Sequence, residues 1–82
     1  MSRTLDDLAY GESAVIARLA GLDGATEKRL LDLGLIIGET VTLIQRAPLG
    51  DPVWLEVKGY QLALRREVAR CILVKRKETG PA

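Results

Sequence analysis

Very few residues in this sequence could do chemistry, and their spacing excludes more than it allows. Histidine is absent, Cys71 is the one cysteine, and the one methionine opens the chain. No Cys/His spacing of a zinc or iron site can therefore be assembled. A Ser–His or Cys–His nucleophile pair is equally out of reach. Carboxylates remain. Asp6-Asp7, or Asp51 with Glu56, carry oxygens that suit a hard or borderline cation, but scattered surface acids hold ions weakly. Gly21-x-x-Gly24 opens a helical pattern without the Gly-Lys-Ser/Thr that a phosphate loop requires. No catalytic residue, metal site or cofactor is expected, which leaves binding.

Binding needs anchors and charge. The aromatic residues are Tyr10, Trp54 and Tyr60, too few for a surface on which nucleic-acid bases stack. If Val53, Leu55 and Val57 point inward, Trp54 points outward, either as an interface anchor or lying over the wall against Arg and Lys stems. The net charge of +1 exerts no global pull on nucleic acid or lipid. Its distribution is uneven: residues 1–41 hold four basic and seven acidic groups, residues 42–82 eight and four. The excess gathers at Arg65, Arg66, Arg70 and the Lys75-Arg76-Lys77 run. That cluster reads as a solvated strand edge and basic tail, or as a docking face for an acidic partner. A small nucleic-acid-binding barrel using the same cluster is an alternative.

The elements that must position these residues follow from pattern. Eighty-two residues make one domain, and 48% apolar with 28% charged is a globular composition. No stretch approaches the ~18 apolar residues of a membrane span, and MSRTLDD lacks the basic-then-apolar order of a signal peptide. A soluble cytoplasmic protein with a reduced, buried Cys71 is expected, with no membrane insertion. Thr4-Leu5-Asp6-Asp7 starts a helical turn that puts Leu5 and Leu8 on one side. Strands are expected at Ser13–Leu19, Thr40–Arg46, Val53–Lys58, Gln61–Leu64 and Cys71–Lys75, with Gly59-Tyr60 as a tight hairpin connection and Arg66–Arg70 as a short turn. The one clear helix spans roughly Ala25–Leu33, capped by Asp23 or Thr26. Gly34 ends it where φ > 0 is needed, with Leu35 folding back onto Leu30. The fold class is mainly β: a small antiparallel barrel of five or so strands with one inserted helix. The domain spans residues 1–76, and 77–82 is expected to be a disordered tail.

Two segments resemble the FeoA family. One is Arg29-Leu30-Leu31-Asp32-Leu33-Gly34-Leu35, continuing through Gly38 to Val41; the other is Ala47-Pro48-Leu49-Gly50-Asp51-Pro52-Val53. Gly59, Leu62-Ala63-Leu64-Arg65 and Ile72-x-Val74 look like that family's closing hairpin. Ile37 departs from it, standing where members often carry proline. The resemblance covers about residues 4–75 and implies an SH3-like barrel. It also implies a cytosolic accessory of bacterial ferrous-iron uptake that regulates or stabilises the FeoB transporter by docking on its cytoplasmic GTP-binding domain. Candidate partner-binding residues are Arg29, Leu30, Leu31 and Leu35 on the helix, Pro48, Leu49 and Asp51 in the stiff turn, and Trp54. Leu30 and Leu35 have a second reading, as a staple on the helix end. Leu31 is expected to matter for binding and not for stability. An unpaired barrel edge and Trp54 also point to weak homo-oligomers. The main rival shares the fold: the regulatory C-terminal module of DtxR-type metal-dependent repressors. A start at Met1 a few residues before the barrel speaks against a preceding DNA-binding domain.

Overall fold

Two-residue alternation builds most of the molecule. In a computed structural model that describes residues 3–77, β1 (Arg3–Thr4) leads into a 3-10 turn at Leu5–Asp7. Then come β2 (Ser13–Leu19), α1 (Gly24–Asp32), β3 (Thr40–Arg46), β4 (Val53–Val57), β5 (Tyr60–Leu64), α2 (Arg66–Ala69) and β6 (Ile72–Arg76). The strands form one antiparallel sheet in the order β1-β6-β2-β3-β4-β5. Ala14 and Ile16, Val41 and Leu43, Val53, Leu55 and Val57, Leu64, and Ile72 and Val74 are all buried in a single cluster. A flat sheet cannot bring the inner faces of five strands to one centre, so this one wraps around its core. Leu5 and Leu8 plug the cluster beside the 3-10 turn, while Leu30 and Ala69 close it from the helices and Leu35 from just beyond α1.

Two bulges bend the sheet and re-aim two arginines. Across β2 and β6 the register steps between Ile16 and Arg18, so Arg18 opposes the outward Leu73 instead of the buried Ile72. Across β3 and β4 it steps between Leu43 and Gln45, so Arg46 opposes the buried Val53. Directly opposed residues share a face. Arg18 is thereby turned out to solvent, and Arg46 is turned toward the end of the core.

The helix ends as its sequence requires. Asp23 caps α1 by accepting a hydrogen bond from the Thr26 N–H at 2.8 Å, and that bonding holds its carboxyl below the ordinary value. At the other end, Gly34 at φ 91° donates to Leu31 O and Leu35 donates to Leu30 O at 2.9 Å, the two bonds of a Schellman stop. Leu30 and Leu35 are both buried there.

Four expectations need correction. A sixth strand, β1, exists: two residues have no periodicity of their own and are strand only through pairing with Leu73 and Val74. The β4–β5 connection is Lys58-Gly59, not Gly59-Tyr60. Both residues have positive φ (52° and 84°), the two-residue turn whose twist matches its strands. The Arg66–Arg70 turn is a single turn of helix. Cys71 is half-buried rather than buried, with its thiol 3.5 Å from Glu67 O. The tail expected to be disordered lies, from residue 78 on, outside the described residues.

Candidate functional site

Helix α1 presents its leucines to opposite sides. Leu30 faces the core, while Leu31 is 48% exposed. Beyond the helix stop, the Ile36-Ile37 turn adds two more exposed side chains, Ile37 at 67%. Leu31, Ile36 and Ile37 line a groove of about 460 Å³ with Leu19, and Arg18 and Glu27 also border it. On the other flank of α1, Arg29, Leu30 and Leu33 border a crevice of about 290 Å³ against Ala63, Leu64 and Val68. Ala63 also borders a depression with Asp51 and Pro52, and it pairs directly with Trp54 across β4 and β5.

The turn between β3 and β4 is held from three sides. Ala47 donates to Pro52 O at 3.0 Å and Gly50 donates to Ala47 O at 2.7 Å. The Asp51 carboxylate accepts the Arg66 backbone N–H at 2.9 Å, at the start of α2. The Arg66 guanidinium lies beside Gly50, 3.4 Å from where a Cβ there would stand. Leu49, at the tip, is 91% exposed.

Arg66 is in turn tied to a charge cluster that sequence reasoning missed. The Asp6 carboxylate, 9% exposed, receives Arg46 Nη1 at 2.7 Å, Arg66 Nε at 3.0 Å and Arg70 Nε at 3.2 Å. Arg46 also donates to the Asp6 and Leu8 carbonyls. Burial pushes the Asp6 carboxyl up, but hydrogen bonds from Arg66, Arg46 and Arg70 outweigh it and hold the group below its ordinary value. Asp6 is thus occupied by protein cations and is not free for a metal. Two members of the expected basic docking face, Arg66 and Arg70, are paired with it.

The expected contact residues therefore sort into four groups. Leu30 and Leu35 are core, so their reading as a staple on the helix end is the one observed. Arg29, Asp51 and Trp54 gather around Ala63; Trp54 is half-buried on the outer wall, not a free anchor. Leu31 stands on the other flank, joined by Ile36 and Ile37, while Pro48 and Leu49 project alone. The sequence signal for the isoleucines was two adjacent apolar residues before a turn glycine, which cannot both face inward. Among the described residues no group of three or more His, Cys, Asp or Glu could hold a metal ion. No helix among them is long and apolar enough to cross a membrane.

Known proteins share this sequence and architecture. The FeoA domain family model matches residues 3–76. A curated Porphyromonas gingivalis protein, the Fe(2+) transport protein A/Fe(2+) transporter FeoB fusion protein, is 44% identical over 71 residues. That match takes in 87% of this chain and 8% of the fusion, so the chain spans a small part of that relative's length. The solution structure of the Chlorobium tepidum FeoA protein superposes with a TM-score of 0.86 at 34% identity, over 95% of this chain and 75% of that one. Stenotrophomonas maltophilia FeoA, crystallised with zinc and described as a prokaryotic SH3 domain protein, gives 0.78 at 32% identity over 89% of each chain. A manganese-dependent transcriptional repressor shares the fold alone, at TM-score 0.83 and 16% identity over 93% of this chain and 42% of that one. With a family model spanning nearly every described residue and an SH3-like sheet carrying one inserted helix, this chain belongs to the FeoA family.

Proposed function

We propose that the chain is a non-enzymatic docking domain of ferrous-iron uptake, which binds the cytoplasmic GTP-binding domain of a FeoB-type transporter and regulates or stabilises it. The observation that carries this reading is the exposed apolar groove of Leu31, Ile36 and Ile37, on a chain whose 44%-identical relative is a fusion with FeoB. Three aliphatic side chains this exposed are unusual on one small face unless something covers them. Burying them supplies roughly 1–2 kcal/mol each, so the roughly 8 kcal/mol of micromolar binding also draws on the contacts around the groove. Arg18 and Glu27 at the rim give orientation. The stiff Pro48–Pro52 turn, fixed by Arg66, offers Leu49 as a second contact on a backbone that is already ordered.

The test is calorimetric titration of the protein into the purified GTP-binding domain of the transporter from the same organism, in each nucleotide state. Saturable binding is expected, weakened at least about tenfold in a Leu31→Gln/Ile37→Gln variant whose melting temperature is unchanged. Heat that the double variant leaves intact would move the contact to Arg29, Asp51 and Trp54 around Ala63.

A further inference from the structure

The outer face of β2 and β6 carries a concentration of charge of which the proposed docking groove uses only Arg18. Two shallow depressions, of about 420 and 490 Å³, meet at Lys75 and Arg76, which line both. Arg3 and Arg18 complete the first, over Leu73 and Ala17; Lys77 completes the second, beside Val15 and Thr40. Five of the chain's twelve Lys and Arg residues therefore share one groove, and among the described residues no carboxylate lines it.

The arrangement is built into the sheet. Alternation along β6 buries Ile72 and Val74 and sends Leu73 and Lys75 outward, and the β2 bulge turns Arg18 to join them. Glu12 offsets part of the charge, pairing with Arg3 at 2.8 Å and lying within electrostatic reach of Arg76. The excess is still cationic, on a chain whose net charge is only +1, so the molecule is dipolar with this face leading.

We propose that this groove seats the phosphate headgroups of anionic phospholipid, laying the domain against the bilayer beside its transporter. The inference rests on the transporter reading for the nearness of a membrane. A cationic rim over an aliphatic floor fits a headgroup and its glycerol. None of the large exposed apolar side chains (Tyr10, Leu31, Ile36, Ile37, Leu49, Tyr60) lies in the groove, so contact is peripheral. Nucleic acid carries the same phosphate chemistry, but no aromatic side chain lines the groove to stack a base. Such a face adds weak, salt-sensitive attraction that orients the domain.

Co-sedimentation with protein-free vesicles tests this. With phosphatidylcholine vesicles containing roughly one-third phosphatidylglycerol, at low ionic strength, the protein is expected to pellet, and about 0.5 M salt is expected to release it. Lys75→Gln/Arg76→Gln should lower the partition coefficient roughly thirtyfold, the effect of removing two near-surface cations. Lys28→Gln/Arg65→Gln, which removes two cations elsewhere, should lower it far less. Equal binding to pure phosphatidylcholine, no pelleting with the anionic vesicles, or indifference to the Lys75/Arg76 change would overturn the proposal. So would a single-stranded oligonucleotide that displaces the vesicles at equal phosphate concentration. Because the vesicles hold no transporter, failure here leaves the docking reading standing, and failure of docking leaves this result intact.

Discussion

Asp6→Asn should destabilise this fold more than any other single loss of surface charge. The substitution keeps the shape of the side chain and removes the charge that three arginines share. Arg46, whose side chain is 20% exposed, loses the most. A hydrogen bond to a charged partner contributes about 1.5–3 kcal/mol in such a setting. Arg66 and Arg70 are 43% and 58% exposed, so solvent screening reduces their pairs to about 0–1 kcal/mol each. The total is about 1.5–5 kcal/mol, against a stability of roughly 4–12 kcal/mol for a chain of this size. The melting temperature should fall by about 4–8 °C for each kcal/mol lost. The pH dependence provides a second reading. The guanidinium groups hold the folded-state carboxyl below its usual 3.8, so the unfolded chain takes up the proton first. The stabilisation is full above that value and is lost as pH falls through the folded-state pKa, so wild type and variant should converge in acid. Denaturant unfolding of Asp6→Asn, Arg46→Ala and Arg70→Ala across pH measures both effects. A loss below about 0.5 kcal/mol for Asp6→Asn, or equal costs for Arg46→Ala and Arg70→Ala, would refute the burial argument.

Other consequences can be checked on the same protein. Gly34→Ala should cost about 1–2 kcal/mol for its left-handed conformation. It should cost more than Gly38→Ala, because a Cβ at Gly34 meets Lys58 Cδ and Cε at 3.1 Å while Gly38 faces open space. A Lys58→Ala background should narrow that difference in thermal melts. The Arg3 guanidinium, and then the Ala9 N–H, hold the Glu12 carboxyl down to about 2 from 4.5. Its contribution is present above 4.5 and lost between there and about 2. Glu12→Gln should flatten the melting profile in that window, and a carboxyl NMR titration of Glu12 with a midpoint near 4.5 would contradict the pairing. Leu49→Ser, at a side chain 91% exposed, should leave stability within about 0.5 kcal/mol of wild type while weakening partner binding.

What could be read in advance was local. Val53, Leu55 and Val57 alternate with Trp54 and Glu56, and Gly34 follows a leucine-bearing helix, so strand, inner face and helix stop were all legible from a few neighbouring residues. The Asp6 cluster was not, because its arginines lie 40, 60 and 64 residues away and only the closed sheet brings them together. Nor were the bulges, each of which reverses the face of the residue beyond it. Strict alternation along β2 would put Arg18 on the side of Ile16, whereas the extra residue turns it out. The candidate site was half legible for the same reason. The motif drew attention to Leu30, Leu31 and Leu35 together, but only packing shows that Leu31 alone of the three stays exposed and that Ile36 and Ile37 join it.

The central claim is tested most directly by titrating the chain into the transporter's GTP-binding domain with GTP analogue, with GDP and without nucleotide. The account predicts saturable binding at micromolar affinity in at least one state, abolished or weakened at least about tenfold by Leu31→Gln/Ile37→Gln without loss of fold. No heat in any state from the folded wild-type protein would contradict it.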